Sequence, residues 1–170
     1  MKSNIEVTGI WKVVHRDKNG KIKSVEEFKN LITNEGLDYL LNAGVHGSTQ
    51  ISAWYFAPFT AAHTPAAGDT YASPGYTEAT SEISEAARQE WAEGASSGQS
   101  VTNSTAATIT AATSVTIYGA GIVGGGSAPT TKGNTAGGGT LLASGQFSSS
   151  KSLTSGETLD LTYTLSASSS

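Results

Sequence analysis

Apolar and polar residues alternate along much of this chain with the period of two that marks half-buried strands. Ile5, Val7, Gly9, Trp11 and Val13 alternate with Glu6, Thr8, Ile10, Lys12 and Val14, which describes a strand with one buried face and a partly apolar second face. Asp17-Lys18-Asn19-Gly20 carries the chemistry of a tight turn, and Ile22, Ser24 and Glu26 against Lys21, Lys23 and Val25 resume the alternation. Residues 4–15 and 21–29 are therefore expected to form a hairpin. Leu37, Leu40 and Leu41 stand at helical spacing after Asn34-Glu35-Gly36 and before Asn42 and Gly44, so one short helix is predicted over 35–43, closed by a Gly44 cap. The apolar run Trp54–Phe59 reads as a buried strand that stops at Pro58. Residues 61–76, rich in Pro, Gly, Ala, Asp and Thr, form a long excursion, and loops of that length tend to be functional or to lie against a partner.

Residues 82–93 fit two periods. Ile83, Ala86, Ala87 and Trp91 make a helical stripe, while Ala87, Gln89 and Trp91 make a strand, and a strand over 86–93 is favoured. Runs at 105–110, 114–123, 140–148 and 157–166 are rich in Thr, Val, Ile, Leu and Tyr and are separated by Gly or Ser clusters. In the last of them Leu159, Leu161, Tyr163 and Leu165 alternate strictly with Asp160, Thr162 and Thr164, after a turn at Thr154-Ser155-Gly156. Seven or eight short strands imply a mainly β protein, a single β-sandwich of jelly-roll or immunoglobulin-like kind spanning residues 1–170. The Gly-rich segment 124–139 is expected to be a surface loop that becomes ordered only against something else.

Composition supports a folded domain. Charged residues are only 14% of the chain, well below the usual quarter, and Ser, Thr, Gly and Ala fill the gap. Disorder would carry high net charge and few aromatics, whereas here the net charge is -4 and the Trp and Tyr residues sit inside patterned runs. The absence of Cys removes disulfides and thiolate chemistry. Met1-Lys2-Ser3-Asn4 runs into the strand pattern without an apolar leader, and no stretch approaches the ~20 apolar residues of a membrane span, so synthesis in the cytosol is expected.

Charge is unevenly placed. Residues 1–30 hold seven Lys or Arg against four Asp or Glu, and the remainder holds three against ten. Lys18, Lys21 and Lys23 around a turn are a thin version of a nucleic-acid face and read as a solvated hairpin tip. From Gly94 to Ser150, Lys132 is the sole charged side chain. Strands normally carry exterior charge for solubility and edge protection, so burial against neighbouring subunits is the simplest account of this stretch.

No catalytic motif emerges. His15, His46 and His63 lack metal spacing, and the carboxylates Asp69, Glu78, Glu82, Glu85 and Glu90 read as an acidic edge rather than a glycosidase pair, with calcium at Asp69 a minor option. The glycines at 119 and 121 precede neither Gly-Lys-Ser/Thr nor a helix, which argues against a phosphate loop. No catalytic residue, cofactor or metal is assigned, and a non-enzymatic protein is expected.

One further pattern joins these elements: Gly9-x-Trp11 leading to Asp17-x-Asn19-Gly20, the run Asn30 to Leu41, Trp54-Tyr55, Ala66-Ala67-Gly68-Asp69-Thr70, Arg88 with Trp91, and Ser155-Gly156-Glu157-Thr158-Leu159 with Tyr163. In order and spacing this resembles structural proteins of the tailed-bacteriophage virion, in particular capsid cement or decoration proteins. The resemblance implies no enzyme activity or cofactor and a place on the capsid surface after assembly in the host cytoplasm. It further implies contact with the major capsid protein, self-association as a dimer or trimer, and no nucleic-acid or membrane partner. The binding surface is expected on the two long loops, at Asp69, Thr70, Tyr71, Pro129, Thr131, Lys132 and Asn134. A tail or fibre component is the alternative, with Trp54 or Tyr55 as a sugar-stacking surface, and a glycan hydrolase built on the carboxylates is a third class.

Overall fold

The computed structural model describes residues 4–169 and is mainly β. Ten strands follow one another as β1 (Ile5–Arg16), β2 (Ile22–Lys29), β3 (Leu31–Ile32), β4 (Trp54–Phe59), β5 (Gln89–Glu90), β6 (Ser100–Thr102), β7 (Ala107–Thr110), β8 (Val115–Gly125), β9 (Gly139–Leu153) and β10 (Thr158–Ser169). One helix, α1 (Asn34–Leu41), lies between β3 and β4. The strands make two antiparallel sheets in a sandwich-like arrangement. The first has the order β2-β1-β10-β6, with β7 also on β10, and the second β3-β9-β8-β4-β5.

The expected hairpin forms, and β1 pairs with β10 from Ile5 opposite Ser169 to Arg16 opposite Thr158. Period-two alternation puts Trp11, Val13, Leu159, Leu161 and Tyr163 on the inner face, where all are buried. Trp11 is the hub. Its ring centroid lies 4.9 Å from Tyr163 and 5.6 Å from Phe56 of the second sheet, and it stacks on Phe28. Trp91 meets Tyr163 edge-on and donates its indole N–H to the Tyr163 carbonyl at 2.9 Å. Each such side chain contributes roughly 1.5–3 kcal/mol on burial.

The second sheet departs from the usual sandwich pattern. Nearly all of β4, the centre of β8 and the first half of β9 are buried on both faces. Trp54, Phe56, Ile122 and Leu142 join the core between the sheets, while Ala57, Val123 and Leu141 form a smaller core outside it with Tyr71, Tyr55 and Tyr76. The outer cover is the chain's own excursion from β4. This corrects the expectation that neighbouring subunits account for the uncharged stretch: much of 115–125 and 139–147 is neutral because other segments of the same chain cover it.

Four boundaries differ from expectation. The helix is not closed at Gly44: α1 passes into a π-helical turn, Asn42–His46, that ends at Gly47 with φ +78°. Pro58 does not stop its strand, because its carbonyl accepts from Ala79 and its missing N–H therefore lies on the same lightly paired edge. The strand expected at 86–93 shrinks to β5: the Arg88 N–H goes to the Thr130 carbonyl of the Gly-rich loop, and beyond the Trp91 N–H, which reaches the Trp54 carbonyl, pairing with β4 ends. The run at 140–148 continues to Leu153, since residues 151–153 pair with residues 115–117 of β8 beyond a register shift. Strand β6 had no apolar alternation to announce it.

Strand β6 begins in a tight turn, Ser97 to Ser100, in which Gly98 and Gln99 both have positive φ, at +58° and +60°. Gln99 is the only non-glycine residue of this kind among those described. Gln99→Gly is expected to stabilise the protein by about 0.5 kcal/mol by removing left-handed strain, and the β-branched Gln99→Val to cost ~1 kcal/mol or more. Urea midpoints of the two variants check the sign.

Candidate functional site

The two long loops come together over the outer face of the second sheet. The first leaves and re-enters beside the end of β4, where Thr60 donates to Thr77 and Ala79 to Pro58. Tyr71 and Tyr76 pack against glycine positions of the sheet: a methyl group at Gly139 would run into the Tyr71 ring, and one at Gly121 into the Tyr76 hydroxyl. Burial raises the Tyr76 hydroxyl's pKa far above its ordinary range, so the group stays neutral. A cleft of about 340 Å³ between the loops is lined by Tyr71, Tyr76, Glu78, Arg88, Val123 and Asn134, among others.

Arg88 holds this assembly. Its Nε and Nη2 donate to the two Glu78 oxygens at 2.8 and 2.7 Å, Nη1 to the Pro129 carbonyl at 2.9 Å, and Nη2 also to the Asn134 carbonyl at 2.9 Å. The side chains of Arg88 and Glu78 are 2% and 7% exposed. Burial alone would lower the Arg88 pKa, but the hydrogen bonds and charge of Glu78 outweigh it and raise the pKa, so the guanidinium remains charged. Its carbon lies 5.9 Å from the centre of the Tyr71 ring, within cation–π range. The Gly-rich loop expected to need an external partner is thus tied down by the chain's own arginine.

Most of the residues expected at a protein interface take part in this internal lock. Asp69 is buried, accepting from the Ala66 N–H at 2.8 Å and contacting His63 Nε2 at 2.7 Å. Thr70 and Ser73 exchange backbone hydrogen bonds. Tyr71 is buried, donates its N–H to Glu35, and accepts from Asn134 Nδ2 at its hydroxyl. Pro129 offers its carbonyl to Arg88. Lys132 Nζ donates to the carbonyls of Thr80 and Ile83. Thr131 keeps an exposed side chain, and its carbonyl accepts from the Asn134 N–H. Arg88, Glu78 and Glu35 were not anticipated as the organising residues. A signal existed, since Arg88 and Lys132 are the only two cations between Lys29 and Lys151.

Two carboxylates of the supposed acidic edge, Glu82 and Glu85, act as backbone clamps, and so does Glu35 at the start of α1. Glu82 accepts from the Thr80 N–H, Glu85 takes the Thr110 N–H on both oxygens, and Glu35 takes those of Tyr71 and Leu141. Among the described residues no group of three or more His, Asp or Glu side chains gathers as a metal site. Trp54 is buried beneath Tyr39, and Tyr55 is half-buried against the loop core.

A second polar cluster closes another part of the sandwich. Glu157 sits between Lys23 Nζ at 2.7 Å and His15 Nε2 at 3.3 Å, and Glu26 meets Lys151 Nζ at 2.6 Å. The hydrogen bond from Lys23, then that from the Thr154 backbone, hold the Glu157 pKa down to about 2. Burial opposes ionisation of Glu26, but hydrogen bonds from Lys151 and Ser148 outweigh it and lower its pKa. Burial lowers the His15 pKa from 6.5 in spite of its contact with Glu157.

The outward face of the first sheet is different in kind. Thr164 donates to Thr102 at 2.9 Å, the hydroxyls of Ser100 and Ser166 lie 2.7 Å apart, and Thr108 donates to Asp160, which also takes Arg16 Nε. Ile10 and Val25 stand exposed further along the same face.

The protein is thus a mainly β, two-sheet sandwich whose long loops are locked by the buried Arg88–Glu78 ion pair and by hydrogen bonds to loop carbonyls. No protein-family model matches the chain, and no curated protein matches it at a significant level.

Two outcomes test the locks. Arg88→Ala leaves the Glu78 carboxylate buried without its partner and is expected to cost roughly 3–5 kcal/mol in urea unfolding, with part recovered in Arg88→Met combined with Glu78→Gln. Acid is expected to destabilise in stages. The folded-state pKa values of His15, Glu26 and Glu157 are all depressed, so the unfolded chain takes up protons that the folded one resists as pH falls. Stability should decline from about pH 6.5 through His15 and further between about 4.5 and 2 through Glu157. Urea midpoints against pH check this, with His15→Gln flattening the upper stage and Glu157→Gln the lower.

Proposed function

We propose that this chain is a structural protein of a tailed-phage virion that binds the outside of the capsid and cements neighbouring major capsid subunits. The observation that carries this reading is the hydroxyl-paired patch where β10 meets β6 on the outer face of the first sheet. Its threonines and serines already hydrogen-bond one another across strands, so covering them with another protein strands few polar groups. Small side chains also lose little conformational freedom on docking. Ile10 and Val25 add exposed apolar area beside them. The order-and-spacing likeness to virion proteins agrees with an adhesive rather than a chemical task. Binding is then additive: modest contacts of about 1,000 Å² or more, repeated by symmetry over the shell, slow its rupture. In this account the loop cluster stiffens the subunit, and the sheet face makes the contact.

Co-sedimentation of the purified chain with bare capsids, tails and host cell walls tests the proposal. Binding to capsids is expected. Thr164→Arg, which places a charge in the uncharged hydroxyl patch, should weaken it at least about tenfold while leaving the thermal transition within a few degrees. Pelleting with tails alone would favour a tail component, and pelleting with cell walls alone would point to glycan recognition.

A further inference from the structure

The β1 strand is longer than its neighbour. Pairing with β2 begins at Ile10 opposite Lys29, after which the chain turns away through Asn30 to the second sheet. Residues 5–8 of β1 therefore pair only with β10. The direction of their backbone groups follows from two hydrogen bonds. Asn30 donates to the Gly9 carbonyl at 3.2 Å on the β2 side, and Tyr163, opposite Trp11, donates to Asn103 away from β1. Antiparallel alternation then points the N–H and C=O of Ile5 and Val7 outward along the open edge. Neither residue has a backbone hydrogen-bond partner on that side among those described.

Where β2 would have continued there is a groove of about 450 Å³, with β1 residues 5–9 as one wall and Leu31, Ile32 and Leu37 on the other. Ile5 is 78% exposed and Leu37 37%, and Leu41, one helical turn further along α1, is 63% exposed. Glu6 and Lys29 stand exposed toward the two ends of the groove on the outward face of the sheet. The site thus combines unpaired strand-edge groups, an apolar inner wall and two opposite charges at fixed positions.

We infer that this edge receives an extended strand from the virion protein that the chain binds, an inference that rests on the structural role proposed above. The incoming strand adds to the first sheet beside β1, with an apolar residue against Ile5 and Leu37 and a basic residue against Glu6. A second copy of β1 fits poorly. Antiparallel pairing about Val7 drives the copy's Asn4 and Ile5 into Lys29 and Asn30. Pairing about Glu6 brings two glutamates face to face, and pairing about Ile5 sets each Glu6 opposite the copy's Asn4, which leaves it without a basic partner. The occupant is therefore a different polypeptide, and the charge pattern selects it.

Val7 allows a clean test because its N–H points outward, so proline there removes no bond to β10 while blocking strand addition. Binding of wild type, Val7→Ala, Val7→Pro and Glu6→Lys is measured by co-sedimentation with whichever particle, capsid or tail, the wild type pellets with. Val7→Ala should bind within about threefold of wild type, and Val7→Pro and Glu6→Lys should each lose about tenfold or more. A folded Val7→Pro that binds like wild type overturns the inference and leaves the structural role standing. If Val7→Pro does not fold, Glu6→Lys decides, and unchanged binding overturns the inference. Wild type pelleting with neither particle overturns both readings. A wild-type dimer in sedimentation velocity that Val7→Pro abolishes overturns the choice of a foreign strand.

Discussion

The organisation of this protein depends on one constraint: the central strands of its second sheet must be covered on both faces. Strand β4 carries Trp54 and Phe56 toward the core between the sheets and Tyr55, Ala57 and Phe59 the other way, so no orientation leaves it a polar face. A half-covered sheet would expose that second set to water, at roughly 25 cal/mol for each Å² of apolar area. The two long loops supply the cover. Their aromatic rings can reach the sheet because glycine at 121 and 139 leaves room for them.

Loops make poor covers unless their own polar backbone is satisfied, and the scarce charges of this chain are spent there. Arg88 serves two carbonyls and one carboxylate, Lys132 two carbonyls, and Glu35 and Glu85 hold backbone N–H groups. The buried pair of Arg88 and Glu78 is better understood as a register device than as a source of net stability, because desolvation consumes much of the attraction between buried ions. Its geometry fixes which turn of the Gly-rich segment lies over which part of the first loop. The Lys23–Glu157–His15 and Glu26–Lys151 cluster does similar work between β2, β9 and β10, at the cost of sensitivity to acid.

Beyond the loop cluster the exterior sorts into distinct surfaces. Where β10 meets β6 the outer face of the first sheet is an uncharged, hydroxyl-paired patch, bordered by the ion pairs Lys12–Glu27 and Arg16–Asp160, and the start of β1 is an open edge with apolar walls. Both belong to one sheet and border one another, so a partner lying on the face could also reach the edge. Free proteins usually blunt such an edge with charges or cover it. Here the charges sit at Glu6 and Lys29 and leave Ile5 and Val7 accessible, an arrangement compatible with a component that completes its sheet on assembly.

The sequence by itself determined the strands, because period-two alternation is a local consequence of which face is wet. The hairpin of β1 and β2 and the strict alternation of β10 were legible for that reason, and β4 through its short, continuous aromatic run. It also determined the mainly β class and the position of the single helix, whose Thr33 cap and leucine spacing are local features. Tertiary structure alone decided what those patterns could not encode. A stretch without charge looks the same whether a neighbouring subunit or the chain's own loop covers it, so only the packing of Tyr71 and Tyr76 distinguished the two. The passage of β4 through Pro58 and the shrinking of β5 depended on contacts with distant segments. The same holds for Arg88: isolated in sequence, it acquired its role when Glu78, Pro129 and Asn134, up to 46 residues away, converged on one guanidinium. Burial and long-range hydrogen bonding are properties of the folded neighbourhood, and no local period carries them.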